Sequence, residues 1–236
     1  MIDAQDTAFM ARAVQLAWRG RYSTHPNPRV GCVIARGSKV LGEGWHERAG
    51  EAHAETRALS QAGPDARGAT AYVTLEPCSH FGRTPPCAKA LIEAGIAHVF
   101  AATKDPNPSV SGRGLDMLRE AGIRVTEGLL AEEAVRLNPG FMKRMNVGRP
   151  YVRLKMAASL DGRTAMASGE SQWITGEYAR AQAHLLRANH DAIMIGSGTA
   201  ITDDPLLTVR LPGIQNEGRP RIGHFKIRSA KLIEAL

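Results

Sequence analysis

Three widely separated side chains, His53, Cys78 and Cys87, constrain this chain more than any other feature. Imidazole and thiolate are zinc ligands, and three of them leave the fourth tetrahedral position for water. They can share one ion only if the segments between them fold so that a loop, a strand end and two helix starts converge. The local patterns allow this. His53-Ala54-Glu55 begins a helical pattern, Cys78 directly follows a β-rich run, and Cys87 opens a helix after Pro85-Pro86, where proline suits the first helical position. Helix N-termini also stabilise thiolates, the form that binds metal. Glu55 lies two residues from His53, so it points in another direction and is placed to carry protons to and from that water.

The order His-x-Glu followed by Pro-Cys is the mark of zinc-dependent nucleobase deaminases, in which the glutamate moves protons and is not a ligand. Their second half is commonly Pro-Cys-x-x-Cys. Here Ser79 to Pro86 separates the two cysteines, a departure that narrows the substrate. His46 and His80 are rival ligands, but neither has a paired acid. A purely structural zinc module would fill the fourth position with His80 and would leave Glu55 without a task.

Composition removes several classes. The chain has 236 residues, 43% hydrophobic, enough for one good core and part of a second. Met1 to Met10 lacks the basic and apolar regions of a secretory signal, and no apolar run approaches the roughly 20 residues a membrane helix needs. Three cysteines make no disulfide framework, so reduced thiols in a cytoplasm are expected, with Cys32 a buried small apolar residue. The net charge of +7 invites a nucleic-acid reading, and a tRNA adenosine deaminase would share the zinc frame. Against it, the Lys and Arg are scattered and only 5% of residues are aromatic, which favours a phosphorylated small molecule. No nucleic-acid or membrane partner is expected.

Along the chain, Asp6 to Arg19 reads as an amphipathic helix, and Arg29 to Ala35 with Lys39 to Trp45 as a hairpin. Helices are expected at His53 to Ala62, Pro86 to Ala94, Leu115 to Ala121 and Ala131 to Leu137. Strands are expected at Ala69 to Leu75, His98 to Thr103 and Ile123 to Thr126. This alternation implies an α/β fold with a mixed, mostly parallel sheet covered on both faces. A boundary falls near Asn146 to Pro150, after Asn138-Pro139-Gly140. Then come a strand at Tyr151 to Ala157, a helix at Glu177 to Ala188 and a strand at Ala192 to Gly196.

The longer motifs are specific. Thr24-His25-Pro26-Asn27-Pro28-Arg29-Val30-Gly31, His53-Ala54-Glu55, Thr74 to Cys87 and Asp105-Pro106-Asn107-Pro108 occur in order. Lys155 to Gly162, Ser171-Gln172-Trp173-Ile174-Thr175-Gly176 and Asp203-Asp204-Pro205 follow. From about Asp6 to Arg210 the chain resembles the bifunctional riboflavin-biosynthesis deaminase–reductases, whose own feature is the long Cys-to-Cys insert. The resemblance implies a cytidine-deaminase-like three-layer α/β/α sandwich at 1–146. A partial dihydrofolate-reductase-like α/β domain would follow at 150–236.

The resemblance also implies two reactions on 2,5-diamino-6-ribosylamino-4(3H)-pyrimidinone 5′-phosphate: hydrolytic loss of ammonia from the pyrimidine C2, then NADPH-dependent reduction of the ribosyl group to ribityl. One zinc ion would be held by His53, Cys78 and Cys87, with Glu55 as proton carrier. Asn27 is the candidate for reading the ring's polar edge, and Arg83 and Thr84 for reaching the phosphate. In the reductase part, Ala157, Trp173, Thr199 and Asp203 would line the NADP site. Ser171, Arg187, Leu207 and Arg210 would contact the substrate, the arginines suiting its phosphate. Gly196-Ser197-Gly198-Thr199 follows a strand and opens a helix, where backbone N–H groups suit a phosphate.

After Arg210 the resemblance fades, although Arg219 to Ile222 could begin the next strand of that family. A second glycine-rich cofactor segment is missing, and roughly 85 residues are few for an α/β nucleotide-binding domain. The expectation is an intact deaminase joined to an incomplete reductase, whose half-built sheet favours association into a homo-oligomer.

Overall fold

The structure is a computed structural model that describes residues 2–81, 85–214 and 221–223. The chain divides into two compact units, Met1–Tyr151 and Val152–Leu236.

In the first unit, helix α1 (Ala4–Ala17) starts at a reciprocal cap: Asp6 N–H donates to Asp3 Oδ1 at 2.7 Å and Asp3 N–H to Asp6 Oδ2 at 3.1 Å. Its apolar stripe of Phe9, Met10, Ala13, Leu16 and Ala17 is buried. Strands β1 (Gly31–Arg36) and β2 (Lys39–Trp45) form the expected hairpin. Next come helix α2 (Ala54–Ala62), strand β3 (Thr70–Val73), helix α3 (Cys87–Glu93), strand β4 (His98–Ala101), helix α4 (Arg113–Glu120) and strand β5 (Arg124–Glu127). Helices α5 (Ala131–Leu137) and α6 (Pro139–Val147) close the unit.

The sheet order is β2-β1-β3-β4-β5. β1 pairs antiparallel with β2 and with β3, whereas β3–β4 and β4–β5 are parallel. The sheet is therefore mixed, but evenly divided between the two kinds of pairing and not mostly parallel. The hairpin feeds β1 antiparallel to β3, and the parallel pairs begin only where helices make the crossovers.

Period-two alternation along the strands builds two cores. Cys32, Ile34, Ala71, Val73, Val99 and Ala101 join residues of α2, α3 and α4 in one cluster. Val33, Ala35, Tyr72, Phe100 and Ala102 join residues of α1 and α5 in the other. The result is three layers, α/β/α, with Cys32 fully buried as the sequence suggested.

The approach of α2 to the sheet is unusually close, and glycine is the reason. A Cβ at Gly42 would overlap the carbonyl oxygen of Ala58, and one at Gly44 that of Ala54. Ala54, Ala58 and Ala62 supply the matching small face. Bare backbone on β2 thus sets the depth of the helix that begins next to His53.

In the second unit, α7 (Glu177–Ala188), β6 (Ala192–Met194), α8 (Ser197–Asp203) and β7 (Arg221–Gly223) follow in order, with β6 and β7 paired in parallel. The strand expected at Tyr151 to Ala157 is absent from the described residues, and this run is irregular. A β-rich run becomes a strand only against a partner ladder. Conversely, α6 occupies the stretch leading up to the boundary expected near Asn146, where the sequence suggested no element. Its Pro139 stands at the first turn, where a missing N–H costs nothing. No helix among the described residues is long and apolar enough to cross a membrane.

Candidate active site

Three elements of the first unit bring the ligand candidates together. His53 is the N-cap of α2 and makes no side-chain cap bond. Its Nδ1 lies 3.6 Å from Cys78 Sγ and 3.3 Å from Cys87 Sγ. Cys78 follows β3 through Thr74 to Pro77, and Cys87 is the first residue of α3. Pro86 stands one place earlier than expected, at the N-cap. The Cys87 N–H donates to Cys78 Sγ at 3.3 Å, so the helix start supports the neighbouring sulfur. All three donor atoms lie within 4.8 Å of one another. Zinc with Zn–S near 2.3 Å and Zn–N near 2.0–2.1 Å holds its ligand atoms roughly 3.5 Å apart, so this donor set fits the ion.

The electrostatics agree. The Cys78 thiol is lowered to about 4, first by its bond with Cys87, against the opposing effect of burial, with His53 adding to the lowering. Cys87 is pushed well up by its bond with Cys78 and by burial. Glu55, 3% exposed, is pushed up to about 7 by burial and by the negative Cys78, with the Cys87 thiol as hydrogen-bond partner. Three acidic groups, Glu55, Cys78 and Cys87, thus crowd one buried place and oppose one another's ionisation. A divalent cation relieves that repulsion.

Around this centre, the rival ligand His46 is engaged elsewhere. Asn27 Nδ2 lies 3.0 Å from His46 Nε2, and His46 Nδ1 lies 3.4 Å from the Ala52 carbonyl oxygen. Both contacts are satisfied when Nδ1 carries the proton and Nε2 accepts from the Asn27 amide. Burial lowers the His46 pKa, which keeps that neutral form. The His46 ring stands edge-on to His53, with centroids 5.1 Å apart. His80 is exposed and outside the donor group. Arg83 and Thr84 lie outside the described residues.

Glu76, inside the Thr74 to Cys87 motif, is a residue whose part the sequence did not reveal. It is 3% exposed, and its carboxylate accepts three backbone N–H groups: Asp105 at 3.0 Å and Gly112 at 2.9 Å on Oε2, Gly114 at 2.9 Å on Oε1. A Cβ at Gly114 would strike the Pro77 carbonyl oxygen. The Pro77-Cys78 turn is thereby fastened to the start of α4. An acid directly before Pro-Cys was the only signal of it in the sequence.

In the second unit, Trp173 is exposed, and the Arg180 guanidinium lies 4.5 Å from its ring centroid. Ser171, Thr199, Asp203 and Arg210 are exposed, Ala157 and Arg187 half-buried and Leu207 buried. Two of the arginines meet. Arg187 Nη1 donates to the Thr208 carbonyl oxygen at 3.2 Å and Arg210 Nη1 to Thr208 Oγ1 at 2.7 Å. Burial and the charge of Arg210 lower the Arg187 pKa. Two cations side by side suit a phosphate. α8 follows Gly196 and has only seven residues.

Residues 3–103 match the cytidine and deoxycytidylate deaminase zinc-binding region, and residues 150–222 match the RibD C-terminal domain. The riboflavin biosynthesis protein RibD of Escherichia coli (strain K12) is 63% identical over 206 residues, covering 87% of this chain and 56% of that protein. The protein of the same name from Haemophilus influenzae is 58% identical over 207 residues, covering 88% and 56%. The chain thus spans a little over half the length of these relatives. Among solved structures, Acinetobacter baumannii RibD (form 1) superposes with TM-score 0.89 at 52% identity, covering 98% of this chain and 67% of that one. A deaminase/reductase from Thermotoga maritima superposes with TM-score 0.83 at 42% identity, covering 92% and 61%.

Proposed function

Because this chain belongs to the RibD family of riboflavin-biosynthesis proteins, we propose that its first unit deaminates a phosphoribosylated diaminopyrimidine and that its second is part of the reductase acting next. The observation that carries the reading is a buried carboxylate, Glu55, set beside one nitrogen and two sulfur donors that lie within 4.8 Å of one another.

His53, Cys78 and Cys87 would hold the zinc. The bound ion supplies a water whose pKa is lowered to roughly 7. Glu55 would carry two protons in turn at its carboxylate: one from the attacking water to the ring nitrogen, then one from the hydroxyl added to the ring to the departing amine. Its burial keeps the carboxyl away from bulk water, beside the atom it serves. Asn27, its amide nitrogen engaged by His46, offers Oδ1 to the donor edge of the ring.

In the second unit, Arg187 and Arg210 would clamp the phosphate, with Ser171 and Leu207 along the sugar. Ala157, Trp173, Thr199 and Asp203 would hold NADPH, which supplies the hydride. A reducing cytoplasm suits a site built on free thiols.

The test is incubation with the diaminopyrimidine phosphate, with and without NADPH, following ammonia and the ribityl product separately. Ammonia release supports the first step, and its absence from the zinc-loaded protein overturns it. Affinity measured against salt separates the two substrate classes. A slope near that of a single phosphate is expected, whereas a steep one would indicate nucleic acid.

A further inference from the structure

The loop that carries Asn27 is held by a residue far away in sequence. Asn138 lies at the junction of α5 and α6 and is 7% exposed. An asparagine in that place commonly caps the helix it precedes. Here the side chain makes no cap bond. Instead Arg29 N–H donates to Asn138 Oδ1 at 2.8 Å, and Asn138 Nδ2 donates to the Arg29 carbonyl oxygen at 2.9 Å. The side-chain amide thus pairs with Arg29 as a neighbouring strand would, across 109 residues of sequence. The Arg29 guanidinium adds a bond to the Leu137 carbonyl oxygen.

The next residues are fixed as well. His46 N–H donates to the Val30 carbonyl oxygen at 2.9 Å, and Gly31 N–H to Thr74 Oγ1 at 3.1 Å. On the other side, Asn27 N–H donates to the Thr24 carbonyl oxygen at 2.8 Å. Asn27 therefore sits between a turn and the Arg29 tie, two residues from the latter, with its amide on His46. The Arg29 tie joins the lead-in of β1 to the α5–α6 junction, two residues from Asn27.

We propose that Asn138 is a positioning residue for Asn27, acting through the backbone of Arg29. The proposal rests on the deaminase reading of the site. Replacing both bonds by nothing lets Asn27 drift while the metal ligands, held by other elements, stay in place.

The experiment is a double-mutant cycle on the full chain. Asn138→Ala should keep its zinc stoichiometry and lower kcat/KM for the diaminopyrimidine phosphate about tenfold, mainly through KM. In an Asn27→Ala background the same change should add less than twofold, because the residue it positions is already gone. A KM within twofold of the parent in Asn138→Ala, or losses that multiply in the double variant, would overturn the proposal. If Asn138→Ala does not fold, Asn138→Asp still accepts from Arg29 N–H but cannot donate to its carbonyl, and should show the same non-additive pattern. If the parent protein does not turn the substrate over, the deaminase reading fails. The positioning claim is then decided by NMR: the Asn27 side-chain amide resonance must shift and Arg29 N–H must exchange at least tenfold faster in the variant. Unchanged signals would overturn it.

Discussion

Glu76 Oε1 accepts the backbone N–H of Gly114 at 2.9 Å, tying the residue before Pro77-Cys78 to the first turn of α4. With Asp105 and Gly112 on the other oxygen, three donors face one buried carboxylate. Glu76→Gln must turn an NH2 group toward at least one of these donors. Hydrogen bonds to charged groups contribute about 1.5–3 kcal/mol each, so a loss of roughly 2–4 kcal/mol is expected. The Cys78 turn loosens with it, and zinc affinity should fall about 10–100-fold. Chemical denaturation and competition with a zinc chelator measure the two effects.

Glu55 and Cys78 should separate chemistry from metal. Glu55→Gln is expected to retain one zinc and lose at least about 10²-fold in turnover, since it keeps the shape of the side chain but cannot carry the proton. Cys78→Ala should lose the metal itself. Elemental analysis beside an ammonia assay distinguishes them, and a Glu55→Gln protein near full speed would remove Glu55 from the mechanism.

Asp105 should give a pH signature in stability. It is 7% exposed, and burial pushes its pKa up to about 6, although Asn107 N–H donates to it at 2.8 Å. In the unfolded chain an aspartate titrates near 3.9. Between those values the folded state holds the extra proton, so this group's contribution to stability rises as pH falls from 7 toward 4. Asp105→Asn removes the titration. The difference in unfolding free energy between the two proteins should change by roughly 1–3 kcal/mol over that interval, with the variant favoured at the alkaline end. A constant difference would refute the assignment.

For the second unit, the arginine pair predicts anion binding. Arg210→Gln should weaken binding of ribose 5-phosphate about tenfold, since one arm of a charged clamp is lost. Titration calorimetry checks this, and equal affinity in parent and variant would exclude the pair as the phosphate contact.

The sequence disclosed the centre well because the chemistry demands particular atoms at particular places in the chain. His53, Cys78, Cys87 and Glu55 are a pattern that few other arrangements reproduce. The supports were hidden. Asn138 and Arg29 are far apart in sequence, and Asn138-Pro139-Gly140 has the composition of a loop even though α6 begins there. Glu76 was visible as a residue but not as an acceptor, since its three donors come from the segment around α4. Local patterns likewise assigned a strand to Tyr151 to Ala157, a run that is irregular in the structure. What a pattern cannot report is a contact made across the fold.

The glycines of β2 have a further consequence. Where main chain rests directly on main chain, no rotamer lies between helix and sheet, so thermal motion of side chains has little leverage on the distance between them. The first turn of α2, with His53 before it and Glu55 within it, is seated on such a floor at Gly44. The backbone that carries His53 and Glu55 is thus buffered against repacking elsewhere in the core.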